Sequence, residues 1–335
     1  MAEGPAILLV RLDGVGDAAL CVPALQGLAQ RYPAARFGAV CSNANARLFS
    51  QKVERVFVCE SPAAADGVAA ELARAGYTHV LVATEEVVGY RLARASGARY
   101  RAGFWHGMQK PFKSLWQYAQ LTTRVYRPAA RSPQPPHEVE MLYLLAQALG
   151  ASAPAPNDPR ALRVWLDAQP PAGAGTSDRC VAMQITPKLL RNGWGPAALA
   201  EFIAATICML RLPRCVLMAA AQDESLAYAV YEQVPAATRT EDRLTLRTSL
   251  EMPRWLGDLA AAALVVTPDT GAAHVAGMLG VPVIDIFEAD AFERLSQQWR
   301  PWAAPSRSLA KPRWHPEAAR SLAQDVARAA HELMG

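Results

Sequence analysis

Hydrophobic and polar positions follow two alternating periods along this chain. Residues 6–10 (Ala-Ile-Leu-Leu-Val) form a short continuous apolar run, the pattern of a parallel strand buried on both faces. A glycine-bearing turn, Asp13-Gly-Val-Gly-Asp17, follows it. A helical spacing of Leu20, Leu25 and Leu28 then runs to about Arg31. Residues 36–41, 53–59, 79–83 and 100–104 read as further strands, and residues 64–75 and 87–95 as helices among them. The alternation restarts late in the chain. Residues 180–185, 215–219, 264–267 and 281–287 read as strands. Residues 196–210, 224–233 and 253–261, the stretch after Gly271 to Leu279, and an amphipathic 321–334 read as helices.

Strands alternating with helices imply βαβ units, hence an α/β fold with parallel sheets covered on both faces. A length of 335 residues suits two domains rather than one. The break falls where composition changes. Residues 151–159 and 169–178 are rich in proline, glycine and alanine, and flank one short β-like piece at 162–166. The reading is a first Rossmann-like, doubly wound domain over 1–160, a linker over 161–178 and a second such domain over 179–315. A terminal helix occupies 316–335. Ligands of such sheets bind outside the carboxyl ends of the strands, and a cleft between facing domains is the default site.

Composition narrows the class. With 52% hydrophobic and 19% charged residues, the chain is globular rather than disordered. Its longest apolar run, residues 259–266, is eight long, far short of the ~18 a spanning helix needs. Met1-Ala-Glu-Gly-Pro has neither a positive start nor an apolar stretch, so no signal peptide is expected. The six cysteines include no C-x-x-C pair, which points to reduced thiols in a cytoplasmic protein rather than a zinc ribbon or disulfide scaffold.

Net charge is only +4, but it is uneven. Residues 87–137 hold nine basic residues and no acid: Arg91, Arg94, Arg99, Arg101, Lys110, Lys113, Arg124, Arg127 and Arg131. Aromatic residues, among them Tyr90, Phe104, Trp105, Phe112 and Trp116, interleave with them. That mixture suits a phosphorylated, partly apolar or membrane-surface ligand. Single-stranded nucleic acid suits it too, but the run lies inside an apparent enzyme domain, so no nucleic acid is expected.

Four strand-to-helix loops carry candidate chemistry. In Arg11-Leu-Asp13-Gly14-Val-Gly16-Asp17 the glycines permit a tight turn and close approach of a ligand to the backbone. Gly14-x-Gly16-x-x-Ala19 also fits the dinucleotide fingerprint of a nicotinamide oxidoreductase. The acid such a protein needs after the second strand is missing from Val40-Cys41-Ser42-Asn43. Asp17 would repel a phosphate there; in a cleft it can take a proton from a hydroxyl nucleophile, while Asp13 or Asp17 can equally cap the helix. In Thr267-Pro-Asp269-Thr270-Gly271-Ala272-Ala-His274 the helix start can hold phosphate oxygens, and Asp269 can hold sugar hydroxyls. Lys188 and Arg191, in Ile185-Thr-Pro-Lys188-Leu-Leu-Arg191-Asn192-Gly-Trp194, can neutralise a diphosphate. Glu224, ending Ala219-Ala-Ala-Gln222-Asp223-Glu224, can accept from ribose hydroxyls or simply begin a helix.

Arg11-x-Asp13-x-x-Gly16-Asp17, followed by Pro23-Ala-Leu25 and Arg31-Tyr-Pro33, resembles the N-terminal signature of glycosyltransferase family 9. That family contains the ADP-heptose:lipopolysaccharide heptosyltransferases. Thr267-Pro-Asp269-Thr270-Gly271-x-x-His274-x-Ala276, with Leu279-Gly-Val-Pro282, resembles its donor signature, and His137-Glu-Val-Glu140 also looks like the family. The resemblance spans about residues 6–290. It implies a GT-B fold, with the acceptor bound by the first domain and the donor by the second. It further implies inverting transfer of heptose from ADP-L-glycero-β-D-manno-heptose, without a cofactor or metal, by a cytoplasmic monomer.

In that frame Asp17 is the general base. Lys188, Arg191, Glu224, Asp269, Thr270, Gly271, Ala272 and His274 hold the donor. Asp13, Gly14, Gly16, Arg91, Arg94, Arg101, Lys110 and Lys113 face an anionic glycolipid or saccharide acceptor, with peripheral contact at the inner membrane. The terminal helix is expected to pack back on the first domain. Two departures stand out. Asn192 occupies the place of the family's lysine two residues before tryptophan, so Lys188 or Arg191 would have to substitute. Thr84-Glu85-Glu86-Val-Val-Gly-Tyr90 replaces an aspartate with a polar, basic run, which points to an acceptor other than the usual inner core. A non-catalytic nucleotide-sugar-binding relative is the alternative these departures suggest.

Overall fold

The computed structural model describes residues 4–128, 134–169, 180–210, 214–240 and 242–335. The chain divides into two units, Met1–Asp167 and Ala168–Gly335. The first carries strands β1 (Ala6–Arg11), β2 (Arg36–Cys41), β3 (Arg55–Val58), β4 (His79–Val82), β5 (Tyr100–Trp105) and β6 (Thr123–Tyr126). Its helices are α1 (Val15–Ala19), α2 (Val22–Arg31), α3 (Ala65–Arg74), α4 (Val87–Ala95), α5 (Pro111–Gln120), α6 (Glu138–Gln147) and α7 (Pro159–Leu162). All six strands are parallel, in the order β3-β2-β1-β4-β5-β6. Every residue of β1 is buried, because the central strand has helices on both faces. Leu8 and Val10 join Val80, Val82, Leu72 and Tyr90 in the core under α3 and α4. On the other face α2 packs on α6, where a Cβ at Gly27 would lie 2.5 Å from the Tyr143 hydroxyl.

The second unit repeats the plan. Its strands are β7 (Cys180–Gln184), β8 (Arg214–Ala219), β9 (Leu244–Thr248), β10 (Leu264–Pro268), β11 (Val283–Glu288) and β12 (Ser306–Lys311). Its helices are α8 (Pro196–Met209), α9 (Glu224–Tyr231), α10 (Met252–Ala261), α11 (Gly271–Leu279), α12 (Phe292–Trp299) and α13 (Ala318–Met334). The parallel order is β12-β11-β10-β7-β8-β9. In both sheets the strand order reverses between the unit's first and fourth strands. That is the switch point at which ligands of doubly wound sheets bind. Both units are therefore Rossmann-like, as the alternation predicts.

Several local expectations change. The long helix up to Arg31 is two helices, broken at Leu20–Cys21, because Pro23 has no N–H to continue the ladder. The β-like piece at 162–166 is the end of α7 and a single 3-10 turn. These residues are no linker. Trp165 is buried, meets Phe37 edge-on at 5.0 Å and donates from Nε1 to Gln26 at 2.8 Å, while Leu166 bridges to Phe49. Residues 170–178 of the expected linker, and Arg131 of the basic run, lie outside the described residues. The apolar stripe of α13, with Leu322 and Val326, packs against α8 in the second unit's core. Helices α5 and α12 and strands β6, β9 and β12 went unread. All three strands are sheet edges, whose half-exposed residues lack a continuous apolar run. Among the described residues no helix is long and apolar enough to cross a membrane.

Trp165→Ala is expected to lower the unfolding free energy by about 3–5 kcal/mol in urea titration, the usual cost of emptying a buried indole site. A change below about 0.5 kcal/mol, as for an exposed surface position, would return these residues to the linker.

Candidate functional site

Arg11 is the last residue of β1 and is almost fully buried. Its Nε stands 3.1 Å from Asp13 Oδ2 and its terminal NH2 2.8 Å from Asp17 Oδ1. Its other terminal nitrogen donates to the carbonyl of Ala83, just past β4. One guanidinium thus joins the two loops of the first switch point and fixes both aspartates. Asn45, fully buried beyond β2, pins the same loop: its Nδ2 donates to Arg11 O at 3.2 Å and Asp13 O at 2.9 Å. The Asp17 side chain remains 35% exposed. A methyl group at Gly14 would stand 3.7 Å from Asp17 Oδ2, an ordinary contact distance, so crowding does not demand a glycine here. Gly14 itself is extended (φ −68°) and caps α1 without a side chain, so no left-handed turn calls for it.

Glu85 organises the loop after β4. Its carboxylate meets His106 Nε2 at 3.2 Å, Lys113 at 3.3 Å, and Lys110 and Arg127 at 3.4 Å each. Burial raises the carboxyl's pKa, but His106, Lys113, Lys110 and Arg127 outweigh it and hold the group below the ordinary value. For His106 burial dominates and lowers the imidazole's pKa, against the pull of Glu85. Arg127 also grips buried Glu138 through both carboxylate oxygens at 2.9 Å. The acids flanking the basic run at each end therefore fold back into it. The His137-Glu-Val-Glu140 element is accounted for as well. His137 Nδ1 accepts from Val139 N, and Glu140 accepts from His137 N, closing a capping box at the head of α6.

The expected acceptor residues do not all meet. Lys110 and Lys113 join Glu85 near the carboxyl ends of the strands. Arg101 stands at the amino end of β5, and its guanidinium is bonded to the carbonyls of Gln120 and Ala98. Arg94, in the last turn of α4, donates to Ala119 O, and Arg91 is exposed one turn earlier. Arg94 thus ties α4 to α5, and Arg101 ties the amino end of β5 to the end of α5, away from the carboxyl ends of the strands.

In the second unit the loops after β7 and β10 flank the switch point. Lys188 lies on the 3-10 turn after β7, which Thr186 caps through its hydroxyl. Its ammonium reaches across to the Asp269 carbonyl and lies 3.4 Å from Asp269 Oδ2. His274 Nε2 is 3.8 Å from Asp269 Oδ1. Thr270 begins α11 with an extended backbone, and its hydroxyl shares a bond with Thr267 Oγ1 at 2.9 Å instead of capping the helix. The first N–H groups, at Gly271 and Ala272, therefore carry the helix's positive end without a side-chain cap. Behind them Asp285 is fully buried, and burial, then the charge of Asp269, push its carboxyl well above the usual range.

Arg191 and Glu224 sit apart from this group. Arg191 is exposed, and its carbonyl accepts from buried Lys311 at 2.8 Å. Glu224 begins α9 and accepts from the Thr248 hydroxyl. Asn192, in a left-handed conformation (φ 60°), donates to Glu288 at 2.6 Å, and Lys311 holds the same carboxylate at 3.3 Å. Sequence reasoning missed Asn45, His106, Asp285, Glu288 and Lys311. None lies in a repeating pattern; each matters through a partner distant in sequence.

Removing the Asn45 amide takes a donor from the Arg11 and Asp13 carbonyls, of which Asp13 keeps the Ser42 hydroxyl. Asn45→Ala is expected to cost about 1–3 kcal/mol of stability, measured by urea unfolding, against almost nothing for exposed Asn43→Ala. Equal effects would mean that the loop does not depend on this amide.

Comparison with known proteins agrees with this layout. E. coli heptosyltransferase WaaC with ADP superposes with a TM-score of 0.73 at 20% identity, covering 97% of this chain and 99% of that one. The same enzyme with ADP-2-deoxy-2-fluoro heptose gives 0.71 at 19% identity, covering 96% and 99%. E. coli ADP-heptose lps heptosyltransferase II gives 0.71 at 16%, covering 98% of each chain. At these identities the likeness establishes the GT-B fold. No curated protein matches the chain by sequence. The family model Glycosyltransferase family 9 (heptosyltransferase) matches residues 66–323, a span that includes Glu85, Lys188, Asp269 and His274 and begins after Asp17. With most of its length matched by that model and both sheets in the arrangement of its solved members, the chain belongs to glycosyltransferase family 9, the heptosyltransferases.

Proposed function

We propose that this protein is an inverting glycosyltransferase that moves heptose from ADP-L-glycero-β-D-manno-heptose to a lipopolysaccharide-core or related anionic glycolipid at the cytoplasmic face of the inner membrane. The observation that carries the reading is Asp17: a carboxylate held through Oδ1 at 2.8 Å by a buried arginine, with its side chain still 35% exposed, at the first switch point. Asp17 takes the proton of the acceptor hydroxyl as that oxygen attacks the anomeric carbon. The proton becomes acidic only as the new bond forms, so a carboxylate suffices as base. The bond to the diphosphate breaks on the opposite face, and a single displacement of this kind inverts the centre.

The second unit supports the donor half. Charge grows on the leaving diphosphate, where the Lys188 ammonium and the N–H groups at the head of α11 stabilise it. The ADP and ADP-heptose analogue of the WaaC structures supply the nucleotide and the sugar in this reading. On the acceptor side, Lys110, Lys113 and Arg127 around Glu85 offer cationic groups to an anionic substrate.

One observation favours a second reading. Asn192 stands where the family's lysine is expected, and its amide is committed to Glu288. A relative that binds nucleotide sugar without transferring it would fit that loss. A transfer assay separates the two. With ADP-heptose and a lipopolysaccharide-core acceptor, turnover is expected, and Asp17→Asn should lower kcat by about 100- to 10,000-fold with little change in the KM for donor. Donor binding without turnover on any core acceptor would select the non-catalytic reading. Full activity in Asp17→Asn would remove the base assignment.

A further inference from the structure

Helix α5 presents its apolar face outward. Ser114, Gln117 and Gln120 recur at helical spacing and are buried, while Phe112, Leu115 and Tyr118 face solvent. Phe112 is 89% exposed and Leu115 73%; Met108, on the 3-10 turn just before the helix, is 88% exposed. A surface helix ordinarily does the reverse. The inward polar side chains fix this orientation. Ser114 Oγ accepts from the backbone N–H of His106, and Gln117 is fully buried on the same side. Turning the helix over would break the Ser114 contact and expose that face. Single exposed apolar residues are ordinary, but three adjoining ones on a turn and helix mark a surface that something covers.

The surroundings of that surface are basic. Residues 87–128 contain eight Lys or Arg and no acid, and Glu85, Glu86 and Glu138 at the margins neutralise only part of that charge. Lys110 and Lys113 lie between Met108 and Leu115 in sequence, with Lys110 half exposed. We propose that Met108, Phe112 and Leu115 form a docking surface for an anionic phospholipid bilayer. Their side chains enter the boundary between headgroups and acyl chains, and the surrounding Lys and Arg face the lipid phosphates. A second copy of this chain is a poorer occupant, because a two-fold contact would set two basic rims against each other. The surface begins two residues beyond His106, which touches Glu85, so a lipid-borne acceptor would arrive beside the acceptor-side cluster. In that respect the inference rests on the glycolipid reading above.

The test is co-sedimentation of the whole protein with vesicles of phosphatidylcholine, with and without phosphatidylglycerol. Binding to the anionic vesicles is expected, weakening as salt rises. Phe112→Ser with Leu115→Ser should lower the partition coefficient at least about tenfold, and Met108→Ser should lower it less. The thermal midpoint should not move, since these side chains are solvent-exposed. Absence of native binding to anionic vesicles, or equal binding by the double variant, would overturn the proposal. So would a native dimer that the double variant dissociates, since the face would then be a contact between copies. Calorimetric ADP binding in the same preparations reports on the donor reading alone. If ADP fails to bind while vesicle binding persists, the docking surface stands and the functional reading falls.

Discussion

A guanidinium buried at the end of a parallel strand is tolerated only with carboxylates and carbonyls around it. Arg11 meets that condition by drawing in Asp13, Asp17 and the Ala83 carbonyl. The rest of the first site depends on this constraint. It sets the loop after β1 against the loop after β4, so Glu85 begins its own network two residues on. It also fixes the direction of Asp17. A carboxylate on a short first turn would otherwise sample several rotamers; paired through one oxygen, it offers the other in a defined place. Asn45 adds a second, uncharged hold on the same backbone.

The second unit solves a related problem with a more mobile group. Lys188 also reaches from the loop after the unit's first strand to the loop after its fourth. Its ammonium is 40% exposed, whereas the Arg11 side chain is 8% exposed. A buried arginine is a structural clamp; a half-exposed lysine on a flexible stem can shift toward a diphosphate. The same topology thus holds a fixed carboxylate on one unit and an adaptable cation on the other. Asp285 lies fully buried behind the same helix start, and burial pushes its carboxyl well above the usual range.

Much of this was legible in the residues. The central strands β1, β4, β7 and β10 are continuous apolar runs, and the loops after β1, β7 and β10 carry glycine, carboxylate and lysine in sequence order. The edge strands β6, β9 and β12 were not legible, because a half-exposed edge leaves mixed residues with no clear period. Helix α5 was missed for a related reason: its polar face is the buried one, so hydrophobic spacing points the wrong way. The basic run was visible as charge, but its division was not. Lys110 and Lys113 meet Glu85, whereas Arg94 and Arg101 serve helix contacts away from the carboxyl ends of the strands, a distinction set by strand register. Gly14 reads as a turn glycine in the sequence, yet its backbone is extended and needs no left-handed conformation.

The proposed transfer divides its labour, with the base on the first unit and the nucleotide on the second. Isothermal titration with ADP, comparing the native protein, Asp17→Asn and Lys188→Ala, separates the two roles. ADP binding in preference to UDP, GDP and NAD is expected, unchanged in Asp17→Asn and weakened about tenfold or more in Lys188→Ala. ADP affinity lost with Asp17→Asn and kept in Lys188→Ala would contradict it.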